Sequence, residues 1–148
     1  MNNTFVLIFI AAMGGIAVAI QGQFMGLMDK GMGTKESVLI TYGLGAIAMV
    51  IVVLLSPSPL NFKNIGASIP WYVLSSGLLG LVIVSSISYS IPRLGLATAF
   101  TIVIAAQFIV TALIEQFGWF GAELQTMSLA RAFGFLAIIG GVWLVAKH

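Results

Sequence analysis

The stretch PWYVLSSGLLGLVIVSSISYSIP, Pro70 to Pro92, decides the fold. Between its two prolines there is no charged side chain. A helix rises ~1.5 Å per residue, so roughly 20 residues cross the ~30 Å hydrocarbon core of a bilayer. The segment from Trp71 to Ile91 has that length. Proline lacks the N–H that a helix interior needs, so Pro70 and Pro92 read as its boundaries.

Four further apolar segments are of similar length, the last two with one charge each: Phe5 to Met28, Val38 to Leu55, Ala97 to Phe117 and Leu129 to Ala146. The second stops at SPSP, Ser56 to Pro59, and the fourth at Gly118. Trp71, Tyr72, Trp119 and Trp143 fall near predicted ends, where amphipathic rings anchor to the membrane interface. The expected fold is all-α, an integral membrane protein of five transmembrane helices forming one domain over residues 1–148. The connecting loops are too short to hold a soluble domain, and no internal repeat is visible.

Composition agrees. Of 148 residues, 60% are hydrophobic and only 7% charged, against about 25% charged in a soluble domain. Mean hydropathy is +1.14. The net charge of +2 rests on six basic and four acidic residues, too few for a nucleic-acid surface. There is no cysteine, and the one histidine is His148. That leaves no thiolate or imidazole cluster for a metal, and no cofactor is expected. The start, MNNT, lacks the basic region of a signal peptide, so the first apolar segment reads as a retained helix.

Five spans put the termini on opposite sides. Lys30, Lys35, Arg93 and Lys147 lie on the C-terminal side, and Lys63 and Arg131 on the N-terminal side. The positive-inside rule then favours a cytoplasmic C-terminus, by a margin small enough to be compatible with dual topology.

Lipid gives helices no hydrophobic reason to associate, so small residues and interhelical hydrogen bonds must hold them together. Small residues recur at Ala11, Gly15 and Ala19, at Gly22 and Gly26, at Ser76 and Gly80, and at Gly134, Gly140 and Gly141. They read as packing seams.

The polar residues of the spans gather at one depth. Gln21 lies about 10 Å inside the C-terminal-side edge. Thr41 and Tyr42 enter from that edge; Ser85, Ser86, Ser88 and Tyr89 approach it; Thr98 and Thr101 leave it. Gln107 sits at the centre of the fourth span, and the fifth reads as a packing helix. An amide buried without a partner costs roughly 2–7 kcal/mol, so such groups face each other, water or a ligand. Serines and threonines in membrane helices ordinarily join helices to one another. Gln21, Tyr42 and Gln107 are the candidates to line a pathway, with Ser85 and Tyr89 beside them. Gln23 is about 200° around the helix from Gln21 and faces elsewhere.

Charges within membrane spans are functional by default. Glu115 and Arg131 share the N-terminal side and read as an ion pair or, more sharply, as a gate. Asp29, Lys30, Lys35 and Glu36 read as ordinary loop charges. No acidic residue stands at mid-depth, as a proton-coupled cation exporter would want.

At IPRLGLATAF, Ile91 to Phe100, the chain resembles the YdcZ-type family of the drug/metabolite transporter superfamily. The likeness rests on Gln21 at the end of a glycine-rich first helix, Pro70-Trp71 with Gly77 and Gly80, and Pro92-Arg93-Leu94-Gly95. It continues in Gln107 followed by Glu115 and Phe117-Gly118, and in Arg131, Gly134 and Gly141. Met25 departs from the pattern, where asparagine is frequent. The resemblance implies a small inner-membrane transporter whose five helices are half of a ten-helix relative. A complete pathway then needs a homodimer, antiparallel if the halves follow inverted-repeat logic. The polar layer suits a neutral, zwitterionic or hydroxylated solute. An organic-cation exporter and a non-transporting accessory subunit are the alternatives. An enzyme ranks last, since no constellation for chemistry is visible.

Overall fold

The computed structural model describes residues 4–58, 60 and 70–147. Met1 to Asn3, Pro59, Lys63 and His148, and the side chain of Trp71, lie outside the described residues. All regular structure among the described residues is helical, with no strand, and five of the helices are long and apolar enough to cross a membrane. It divides into two compact units, Met1–Arg93 and Leu94–His148.

In the first unit α1 spans Thr4–Met32 and α2 spans Thr34–Leu55. A single residue joins them. Gly33 has φ 102°, a conformation that costs glycine nothing and other residues a great deal. Its N–H bonds to the Asp29 carbonyl at 3.0 Å, and its own carbonyl accepts from the Ser37 N–H at 3.1 Å. So Asp29, Lys30, Lys35 and Glu36 belong to helices and not to a loop, a correction to the sequence reading. The physical reason is backbone satisfaction. Continuing the helix pairs every N–H and C=O as the chain leaves the hydrocarbon. Lys30 in the last turn of α1 and Glu36 in the first turn of α2 also suit the helix dipoles.

A 3₁₀ turn at Trp71–Ser75 leads into α3, Ser76–Leu94. Pro92 lies inside the last turn of α3 and does not end it. Proline fits helical φ, and one lost N–H near a terminus is cheap.

In the second unit α4 spans Leu96–Phe117 and α5 spans Leu129–Ala146. Gly118 closes α4 in the left-handed conformation at φ 63°, its N–H on the Ile114 carbonyl. Ser128 caps α5 by accepting from the Arg131 N–H at 3.2 Å.

Large apolar side chains point outward along every helix: Phe5 is 83% exposed, Leu54 78% and Leu129 81%. In water that surface would be ruinous, but hydrocarbon solvates it. Few residues are buried among those described: the apolar Met25, Ile87, Ile91, Ala99 and Ala105, the polar Asp29, Ser37 and Ser88, and Gly22 and Gly26.

Candidate functional site

Three helices of the first unit meet in a buried polar knot. Ser37 Oγ of α2 donates to the Met25 carbonyl of α1 at 3.2 Å. Ser88 Oγ of α3 lies 3.0 Å from Ser37 Oγ and 3.5 Å from the same carbonyl. Both serines are 0% exposed. Close approach of α1 and α3 depends on Gly26, where a Cβ would stand 2.5 Å from Ile91 Cγ2. The Met25 side chain fills the core at 1% exposure. Other hydroxyls turn back on their own helix: Thr41 to the Ser37 carbonyl, Ser86 to Val82 and Thr101 to Ala97, at 2.7–2.8 Å. The expected interhelical role of serine and threonine therefore holds for Ser88, whose partner Ser37 lies just outside the predicted second span, and is corrected for these three. An i−4 carbonyl is always within reach of a helical hydroxyl.

Beside the knot lie two adjoining grooves. One, of ≈ 400 Å³, is lined by Gln21, Thr41, Tyr42, Gly45, Ala46 and Val84. The other, of ≈ 500 Å³, is lined by Thr34, Lys35, Val38, Leu39, Tyr42, Leu81 and Ser85. Tyr42 belongs to both. Its hydroxyl lies against Gly80, where a Cβ would come within 2.6 Å of it. Of the sequence candidates, Gln21, Tyr42 and Ser85 are thus brought together. Apart from Lys35, the polar groups facing the grooves are neutral, an amide and hydroxyls. Such a surface donates and accepts hydrogen bonds without demanding a charge.

Tyr89 is engaged elsewhere. Arg93 stacks its guanidinium 3.6 Å from the Tyr89 ring centroid and donates to the Tyr89 carbonyl at 2.5 Å. The same Nη1 reaches Asp29 Oδ2 at 3.2 Å, while Thr34 donates to the other oxygen, Oδ1. The Asp29 side chain is 5% exposed and that of Arg93 48%. Sequence reading missed this pair. The signal was present: opposite charges at the same end of two spans, the logic applied to Glu115 and Arg131.

The second unit holds Gln107 on an exposed face of α4. Arg131 bonds Glu115 at 2.9 Å through Nη1 and Gln125 through Nη2. The segment between α4 and α5 is held to the end of α4, with the Gln125 N–H on the Glu115 carbonyl at 3.1 Å and the Met127 N–H on Gln116 Oε1 at 2.9 Å. A cleft of ≈ 300 Å³ runs from this pair between Phe108, Thr111 and Phe135, past Gly134. A Cβ at Gly134, Gly140, Gly141 or Gly15 would meet nothing within 4 Å. Within the chain these glycines are not the close-contact seams that their spacing suggested, whereas Gly22 is buried and Gly26 and Gly80 do sit at helix contacts. Among the described residues no group of three or more His, Cys, Asp or Glu gathers to hold a metal.

No solved structure matches the chain. It is 26% identical to the "Inner membrane protein YdcZ" of Escherichia coli (strain K12), over 100% of this chain and 99% of that relative. Residues 6–144 match the family described as "Putative inner membrane exporter, YdcZ". With that match spanning nearly all of the five-helix region, the chain belongs to the YdcZ family.

Proposed function

We propose that the protein carries a small solute across the inner membrane, as a homodimer, with the joined grooves of the first unit forming part of the pathway. The observation that carries this reading is the convergence of Gln21, Tyr42 and Ser85 on two grooves that share one tyrosine ring. The export named in the family description and the inner-membrane name of the relative support it. Neutral hydrogen-bonding groups over an aliphatic wall suit a neutral, zwitterionic or hydroxylated solute. A second copy, antiparallel if the repeats are inverted, would complete it.

Purified protein in liposomes tests this against a broad panel of metabolites. Saturable flux of one class is expected, with Gln21→Ala and Tyr42→Ala raising its half-saturation concentration about tenfold by loss of one hydrogen bond each. No saturable flux for any class would overturn the reading.

An organic-cation exporter is the second reading. It is favoured by one observation, the nearly buried Asp29 carboxylate. Efflux of a lipophilic cation that survives Glu115→Gln but is lost in Asp29→Asn would select it.

A further inference from the structure

Arg93 follows Pro92, whose missing N–H leaves the Ser88 carbonyl without its in-helix donor. Helices bend at such points. The last turn of α3 is therefore its weakest, and that turn carries the guanidinium that reaches α1. The two ends of the contact differ. Asp29 is anchored, 5% exposed and held by Thr34 on its other oxygen, whereas Arg93 is 48% exposed. Arg93 also has a resting place within its own helix, on the Tyr89 ring and carbonyl. Leaving Asp29 does not strand it. An exposed pair would hold little, and a fully buried one would not separate without a large penalty. This pair lies between. Thr34, which touches Asp29, also lines the wider groove.

We infer that Asp29 and Arg93 form a releasable latch at the Gly33 end of the first unit. Closed, it fastens the last turn of α3 to α1. Released, that turn bends at Pro92 away from α1 and leaves Asp29 to Thr34, the residue that links the latch to the groove between α2 and α3 and lets it open there. Its bearing on transport rests on the groove being the pathway, but the opening itself does not depend on any substrate.

The chain has no cysteine, so spin labels at Lys30→Cys and Leu94→Cys report alone. Electron–electron distance measurements in lipid nanodiscs then compare the labelled parent with Asp29→Asn, Arg93→Gln and the double variant. Each single variant is expected to raise the population at longer distance about tenfold, and the double variant no further, since both remove one contact. Arg93→Lys, which keeps the charge, should stay close to the parent. Unchanged distances in folded variants, or effects that add, would overturn the latch. Loss of folded protein in both single variants would also overturn it, making the pair a fixed brace. Because no solute is added, failure here is distinguishable from failure of the transport reading.

Discussion

The Tyr42 hydroxyl rests on Gly80, at a spot where a single added carbon would approach it to 2.6 Å. Two helices of the first unit thus meet through a phenol and a residue with no side chain. Gly80→Ala should push the ring aside and lower stability by about 1–3 kcal/mol, the usual cost of overpacking. Tyr42→Phe removes the atom that collides, so the double variant should recover most of the loss. Thermal melting in detergent, analysed as a double-mutant cycle, checks this.

Gly26 and Gly15 lie on the same helix and should behave oppositely. A methyl at Gly26 meets Ile91 Cγ2 at 2.5 Å, and one at Gly15 meets nothing within 4 Å. Gly26→Ala is expected to cost about 1–3 kcal/mol. Gly15→Ala should stay within about 0.5 kcal/mol in a single chain. If Gly15→Ala instead disrupts a two-chain particle, measured by mass photometry, Gly15 is a contact between copies.

Ser37 is the hinge-pin of the buried knot, donating to Met25 and facing Ser88. Ser37→Ala should destabilise more than Ser88→Ala. The first leaves Ser88 only a 3.5 Å contact with the Met25 carbonyl, while the second leaves the Ser37 bond intact. Each lost hydrogen bond is worth about 1 kcal/mol, and a stranded buried hydroxyl about 1–3 kcal/mol. Unfolding curves that rank the two variants the other way would contradict the geometry.

The Glu115–Arg131 pair is more open, with side chains 32% and 42% exposed. Glu115→Gln should therefore shift stability by no more than about 1 kcal/mol. Arg131→Ala should do more, because Gln125 loses its partner as well. Limited proteolysis between Gly118 and Ser128 would report that loosening as faster cleavage.

The five helices were legible because lipid enforces one requirement, an uninterrupted apolar run, and the sequence displays it five times. The ends of α2 and α4 were legible too, since SPSP and Gly118 are local signals. The stretch from Asp29 to Glu36 misled because four charges read as solvent exposure. One glycine at positive φ lets the helices continue through them. The Asp29–Arg93 contact joins residues 64 apart, and only their shared depth at one end of two spans announces the pairing. Depth along a helix follows from counting, so a polar layer was visible. Rotation about the helix axis does not, and Tyr89 turned to Arg93 while Gln21 turned to the Tyr42 groove.

The one-residue link at Gly33 has a consequence for biogenesis. Ribosomal synthesis delivers Thr34 five residues after Asp29 but Arg93 only 64 residues after it. α1, α2 and their Gly33 link are therefore complete before Arg93 is made, so the Asp29 carboxylate can meet the Thr34 hydroxyl before it meets its counter-ion. A hydroxyl leaves the carboxylate charge in place, and only the arrival of α3 brings the guanidinium that balances it.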